Sequence, residues 1–212
     1  SYARPGTVNI DPIEKKPLYH FMPGNLILSI GPNGCTFTCD NCQNWSISQQ
    51  DAPTRSIPLD ELIELAGRGG SIGVAFTYTE PLIWFEYIAD AATALKEHGL
   101  KSVCVTNGFL NEKPALEIAS LVDAFNVDLK SMSDDFYRTY CGGRVEPVKH
   151  FVGIAAERSH LEVTNLLVPG LNDSTEQITE LVSFIAGVSR SIPLHFSRFF
   201  PQHRMTDRPA TP

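Results

Sequence analysis

Six short runs of apolar and β-branched residues recur along the chain, and none shows the in–out alternation of a half-exposed strand. They are Asn25–Ile30 (NLILSI), Ile72–Tyr78 (IGVAFTY), Lys101–Thr106 (KSVCVT), Ala124–Leu129 (AFNVDL), Leu161–Val168 (LEVTNLLV) and Ile192–Phe196 (IPLHF). Apolar residues at consecutive positions mark strands buried on both faces, as in a parallel sheet. The segments between them carry helical spacing. In Pro58–Arg68, Leu59, Leu62, Ile63 and Ala66 form one stripe, with Ser56 available as a cap and Gly69-Gly70 as the stop. Further helices are expected over Pro81–His98, after Asn111 with Pro114 in the first turn, over Glu146–Ser159, and over Ser174–Ser189. A repeated β-α order, with no helix after the last strand, implies an α/β fold with right-handed crossovers. The sheet is either doubly wound and open or of barrel type, and both place functional groups at the carboxyl ends of the strands.

The polar residues obey that rule. Cys35 follows the first strand, Glu80 the second and Asn107 the third. Asp128 and Lys130 close the fourth, Asn165 lies in the fifth and His195 in the sixth. The chain has 212 residues, enough for one sizeable core, and a formal net charge of −7, which argues against nucleic-acid binding. No run of about 18 uncharged apolar residues is present, so no membrane span is expected. The five cysteines are odd in number and three are clustered, which fits a reducing cytoplasm better than a secreted disulfide framework. Residues 1–24 read as a polar lead-in and 25–212 as the α/β unit. The polar, Pro-containing start and the ending RMTDRPATP suggest a fragment of a longer protein.

The sharpest motif is SIGPNGCTFTCDNCQNWSIS, in which Cys35, Cys39 and Cys42 are spaced Cys-x3-Cys-x2-Cys beside Gly31, Pro32 and Gly34. Thiolates this close wrap a single iron–sulfur cluster, which usually takes four. Three leave one iron of a [4Fe–4S] cube open to an outside ligand. The amine and carboxylate at the methionine end of S-adenosylmethionine suit that vacancy, and this cofactor serves radical chemistry. Cys35, Cys39 and Cys42 are thus the expected metal ligands and catalytic centre. The competing reading is a structural zinc in a non-enzymatic scaffold. Zinc wants a fourth Cys or His, which the loop lacks, although folding can bring His20, Cys104, Cys141 or His150 near.

The cysteine motif resembles that of radical S-adenosylmethionine enzymes. The chain is similar to the branch of pyruvate formate-lyase activating enzymes. Within it CQNWSIS, FTYTEP, FNVDLK, LLVPGLND and LHFSRFFP resemble the radical enzyme of the AmmeMemoRadiSam system. The resemblance spans Asp11 to about Arg204. It implies a partial (β/α)6 barrel of the TIM type with parallel strands, a [4Fe–4S] cluster and S-adenosylmethionine as cofactors, and oxidoreductase chemistry in which a 5′-deoxyadenosyl radical abstracts hydrogen. It also implies an electron donor such as flavodoxin or ferredoxin. The substrate is a partner glycyl-radical enzyme if the chain is an activase, or else a different protein or a small molecule.

The resemblance assigns site residues as well. Relatives bind the methionyl amine with a Gly-Gly-Glu-like motif; here the position reads Tyr78-Thr79-Glu80, which keeps the carboxylate and lacks both glycines. The alternative for Glu80 is a cap on the helix that follows, and its place on the catalytic rim favours the ligand reading. Thr106 and Asn107 stand where relatives meet cofactor or ribose, although Asn107-Gly108 is also a turn former. Asp128 and Lys130 flank a leucine, so both face one way, and Lys130 is placed to pair with the methionyl carboxylate; the alternative is a structural ion pair. His195 resembles a cofactor-contacting histidine and is equally a satisfied core histidine. Around Asn44 the backbone is expected to meet adenine, with Trp45 packing on it or in the core. Val168-Pro169-Gly170 resembles the strand-five turn near adenine, with Thr164 and Asn165 as weaker candidates. Cys104 and Cys141 read as structural.

Overall fold

A computed structural model describes residues 2–212 and shows a seven-stranded sheet in which spatial order equals sequence order. The strands are β1 (Thr7–Pro12), β2 (Leu26–Gly31), β3 (Ser71–Phe76), β4 (Lys101–Thr106), β5 (Ala124–Asp128), β6 (His160–Leu167) and β7 (Leu194–Arg198). From β2 to β7 every pairing is parallel; β1 runs antiparallel to β2. A doubly wound sheet reverses its strand order at a switch point. This sheet never reverses, which selects the barrel alternative, and β1 and β7 stay unpaired to one another, so the barrel is partial.

Among the described residues seven α-helices lie between the strands: α1 (Trp45–Ser48), α2 (Leu59–Arg68), α3 (Phe85–Glu97), α4 (Glu112–Leu121), α5 (Asp134–Phe136), α6 (Val145–Arg158) and α7 (Thr175–Val188). Helix α5 runs directly into one π-helical turn, Tyr137–Cys141. Ser174 caps α7 as its sequence suggests, accepting from Gln177 N. Ser56 caps nothing: α2 starts one residue after Pro58, which holds the cap position with no side-chain bond. The second strand ends at Phe76, not Tyr78, because Tyr78 has φ +72° and cannot continue a strand.

The two faces of the sheet differ. Cys104, Phe125, Val127, Leu161 and Val163 pack against the helices in the main core, where the rings of Phe125 and Phe151 meet edge-on. Asn126, Asp128, Glu162, Thr164 and His195 share the other, concave face, as shown by the Asn126 Nδ2 to Thr164 Oγ1 bond of 2.9 Å and the registers Asp128↔Thr164 and Thr164↔His195.

Residues 2–24, the described part of the segment that reads as a lead-in, close one end of this concave face. Ile13 and Leu18 are fully buried against Ile27, Ala75, Val103 and Ala124. Burial of such side chains is what makes a polar-looking segment part of the fold. The segment is stitched in place by the buried pair Lys16 Nζ–Asp11 Oδ2 (2.9 Å) and by Tyr19 N and His20 N donating to the carboxylate of Glu162. Strand β1 escapes a sequence reading because it is an edge strand of six residues ending in Pro12, tolerated only at an edge. No helix among the described residues is long and apolar enough to cross a membrane.

Leu18→Ala removes a fully buried side chain from this plug. The expected loss is about 2–5 kcal/mol of unfolding free energy, read from chemical denaturation followed by circular dichroism.

Candidate functional site

The three-cysteine loop leaves the sheet at Gly31, where a β-carbon would lie 2.2 Å from Thr77 O on the neighbouring strand's exit. Glycine is required there because the two chains exit side by side. The loop then rests on a seat formed by the π turn and the two glycines after it. Thr38 N donates to Cys141 O and Asp40 N to Tyr140 O, both at 2.9 Å. Gly142 takes φ +74°, and a β-carbon on Gly143 would stand 2.3 Å from the ring of Phe37. On the other side Gly34 N donates to Ile47 O of α1. All five cysteines are free thiols, with Cys35 and Cys42 half-buried and Cys39 buried.

Within the loop, Phe37 N donates to Cys35 Sγ at 3.3 Å, and Cys42 Sγ meets Ser48 Oγ at 3.2 Å. The bond from the Cys141 thiol outweighs burial and, with the Lys130 charge nearby, pulls Cys39 below the usual thiol range. Cys141 moves the other way, held protonated as the donor. Burial, with the Glu80 charge behind it, pushes Cys35 up to about 12, so a bound cation is needed to hold it as thiolate. The three sulfurs do not form a group with all donor atoms within 4.8 Å of one another, as His20, Glu162 and His195 do. Zinc with Zn–S of about 2.3 Å requires tetrahedral sulfurs roughly 3.8 Å apart. The wider donor set fits a multi-iron cluster and argues against a single ion.

Glu80 is the hub of the rim. Its Oε1 accepts from Leu82 N (2.9 Å) and Thr106 Oγ1 (2.6 Å), and its Oε2 from Asn107 N (2.8 Å). It caps the 3-10 turn Pro81–Trp84, so that reading holds, while Oε2 keeps an acceptor site to spare. Burial pushes the carboxyl up to about 7 against those bonds. Asn107 makes the turn, its Oδ1 accepting from Phe109 N, and also reaches the cysteine loop through Nδ2, to Thr36 Oγ1 at 2.9 Å and Cys35 Sγ at 3.7 Å. Thr79 Oγ1 donates to Pro32 O at 2.7 Å, and Asn44 Nδ2 donates to Tyr78 O.

The missing glycines before Glu80 have a structural answer. Tyr78 takes the left-handed conformation that glycine adopts freely, a cost of about 1–3 kcal/mol for other residues. The lead-in offsets it: Tyr78 Oη donates to Asp11 Oδ2 at 2.8 Å, and Lys16 Nζ sits 4.6 Å from the centre of its ring.

Asp128 and Lys130 form an ion pair of 3.2 Å. Burial opposes the lysine's charge, but Asp128, with the Cys39 thiolate nearby, holds it protonated well above the ordinary lysine range. Asn165 Nδ2 donates to Leu129 O and Lys130 O, and Asn172 Nδ2 to Lys130 O, fixing the turn that carries the lysine. Asn165 thus acts from behind the rim.

Cys35, Cys39, Cys42, Asn44, Thr79, Glu80, Thr106, Asn107, Asp128 and Lys130 therefore gather at one end of the sheet. His195 is placed apart, bonded to Glu162 on the concave face (2.6 Å). Trp45 is exposed and stacks on His203 at 5.2 Å. Cys104 is core packing, as expected. Of the residues that folding was expected to be able to bring near the loop, Cys141 is the one placed against Cys39, while its reading as purely structural misses that contact.

Residues 29–185 match the family model described as the Radical SAM superfamily. Over its whole length the chain is 39% identical to an uncharacterized protein of Methanocaldococcus jannaschii, covering 64% of that protein. It is 26% identical to a pyruvate formate-lyase-activating enzyme of Staphylococcus epidermidis, over 72% of this chain and 66% of that enzyme. The chain thus spans just under two thirds of these relatives. Among solved structures, Streptococcus suis SuiB bound to S-adenosylmethionine superposes with a TM-score of 0.66 at 18% identity, covering 86% of this chain and 44% of that one. A domain of a pyruvate-formate lyase-activating enzyme from Bacteroides vulgatus gives 0.51 at 24% identity, over 65% and 84%. The structural likenesses establish the fold.

The Glu80 shift sets a pH dependence. A carboxyl raised from 4.5 to about 7 binds its proton more tightly folded than unfolded. Its stabilising contribution is full below pH 4.5, is lost as pH rises to about 7, and is flat above. The stability of the wild type relative to Glu80→Gln should fall over that window by on the order of 3 kcal/mol, checked by denaturation at stepped pH. A difference that does not change with pH refutes the burial effect.

Proposed function

The chain belongs to the radical SAM superfamily, and from that premise we propose that Cys35, Cys39 and Cys42 hold its cluster while Glu80, Asp128 and Lys130 bind and orient its S-adenosylmethionine. The cofactors of this superfamily enzyme are a [4Fe–4S] cluster and S-adenosylmethionine; when bound they supply an electron to the sulfonium and a 5′-deoxyadenosyl radical that abstracts hydrogen from substrate. The observation that carries the residue assignment is the convergence of three thiols, an anionic hub and a held lysine on one strand-end rim.

Each residue has a task that its surroundings support. Cys39, eased towards thiolate by Cys141 and Lys130, is the ligand most ready to receive iron. Glu80 Oε2 offers its spare acceptor site to an N–H of the methionyl amine. Lys130, kept charged by Asp128, meets the methionyl carboxylate. Asn107 joins the cofactor side to the cluster loop through Cys35 and Thr36, with Thr106 holding the Glu80 carboxylate in place. Asn44 and Thr79 fix the loop walls against Tyr78 and Pro32. His195 contributes to the concave wall away from these groups.

The finer reading takes the hydrogen from a glycine Cα of a partner glycyl-radical enzyme, with an electron carrier of the flavodoxin or ferredoxin type. The 26% identity to activating enzymes supports it. The alternative, a different protein or a small molecule as substrate, is supported by the motifs CQNWSIS, FTYTEP, FNVDLK, LLVPGLND and LHFSRFFP, which resemble the AmmeMemoRadiSam type; the relative of higher identity names no substrate.

After anaerobic reconstitution and reduction, the chain should form 5′-deoxyadenosine from S-adenosylmethionine, and Cys39→Ala should form none. Zinc held by the three cysteines, with no 5′-deoxyadenosine from the wild type, would sink the proposal. Affinity for S-adenosylmethionine should rise as pH passes about 7, because the Glu80 carboxylate accepts from an amine N–H more strongly than the protonated carboxyl does. Equilibrium dialysis checks this, and Glu80→Gln should bind more weakly with a flatter profile.

A further inference from the structure

On the concave face, one residue pair below the row of Asp128 and Thr164, a buried carboxylate has gathered three imidazoles. The Glu162 side chain is fully buried. Its Oε2 meets His195 Nε2 at 2.6 Å and His20 Nδ1 at 3.3 Å, and its Oε1 meets His160 Nε2 at 2.9 Å. Backbone donors complete the set, Tyr19 N to Oε2 (3.1 Å) and His20 N to Oε1 (2.8 Å). Among the described residues its ion-pair partners are these histidines alone, with no lysine or arginine. A buried carboxylate needs a cation beside it. The two backbone bonds suffice to tether the lead-in, and one protonated histidine would suffice for the charge, so the convergence of three imidazoles on one carboxylate exceeds both needs.

We propose that His20 Nδ1, His195 Nε2 and Glu162 form a site for a divalent transition-metal ion of the zinc or ferrous class, separate from the cysteine loop. Among the described residues this is the group of three whose donor atoms all lie within 4.8 Å of one another. Metal–ligand bonds of about 2.0–2.2 Å place neighbouring tetrahedral donors roughly 3.3 Å apart, the separation of His20 Nδ1 and Glu162 Oε2. The shorter His195 contact is a hydrogen bond whose proton the ion displaces. Neutral imidazoles with one carboxylate are the donor set these metals take, whereas calcium and magnesium want oxygens. The supporting shell is already built. His160 and His20 N fix the far oxygen of Glu162, and the ring of His195 lies 5.0 Å from Tyr19 and stacks on His20 at 6.1 Å. The His20 side chain is 61% exposed, so the fourth position opens to water, as in sites that bind a small oxygen ligand.

The test uses the anaerobically reconstituted chain, so that the thiolates are occupied, titrated with cobalt(II) as a spectroscopic probe and with zinc by elemental analysis after dialysis. One equivalent beyond the cluster iron is expected, with nitrogen- and oxygen-type cobalt bands and no thiolate charge transfer. His20→Ala, exposed and tolerant of change, and His195→Ala should each weaken binding by more than His160→Ala, which removes a supporting contact and should cost roughly 10–100-fold. No bound equivalent, an unchanged affinity in His20→Ala, or a thiolate spectrum overturns the proposal. Retained circular dichroism in His20→Ala separates ligand loss from unfolding.

Discussion

The rim of this barrel is organised by one buried carboxylate. Glu80 ties the exit of β3 to the 3-10 turn through Leu82 N and to the end of β4 through Thr106 and Asn107. Asn107 passes the connection on to the cysteine loop. Each bond is stronger for being shielded from water, and each loses more if its partner is removed. The placement of two strand ends relative to the loop therefore depends on a single side chain whose own charge is disfavoured by burial.

A second dependence runs beneath the sheet. The lead-in fills one end of the concave face with Ile13 and Leu18, and it also reaches the rim through the Asp11–Lys16 pair under Tyr78. A strained backbone position one residue pair before the hub is thus held by a segment far from it in sequence. That arrangement lets a tyrosine occupy a position that glycine would otherwise fill.

The legible parts were those written locally. Buried strands announce themselves by consecutive apolar residues, and the C-terminal-end rule then points to Cys35, Glu80, Asn107, Asp128 and Lys130. Lys101–Thr106 coincides with its strand to the residue. What escaped notice depends on partners distant in the chain. Strand β1 is strand only because β2 lies beside it. Cys141 matters only because the π turn brings it against Cys39, and the role of Glu162 emerges only when His20, His160 and His195 arrive from three segments. Ser56 showed the opposite failure, a good cap in type with Pro58 occupying the position it would need.

The seat under the cysteine loop has a bearing on biosynthesis. The backbone bonds from Thr38 and Asp40 end on Cys141 and Tyr140. On a ribosome adding about 5–20 residues per second, that seat emerges roughly 5–20 s after the loop, since about a hundred residues separate them. For that interval the three thiols are exposed on an unsupported loop. Metal loading that waits for the complete seat delivers iron to ligands already fixed, and the interval before it is when the nascent chain is most open to the wrong metal or to oxidation.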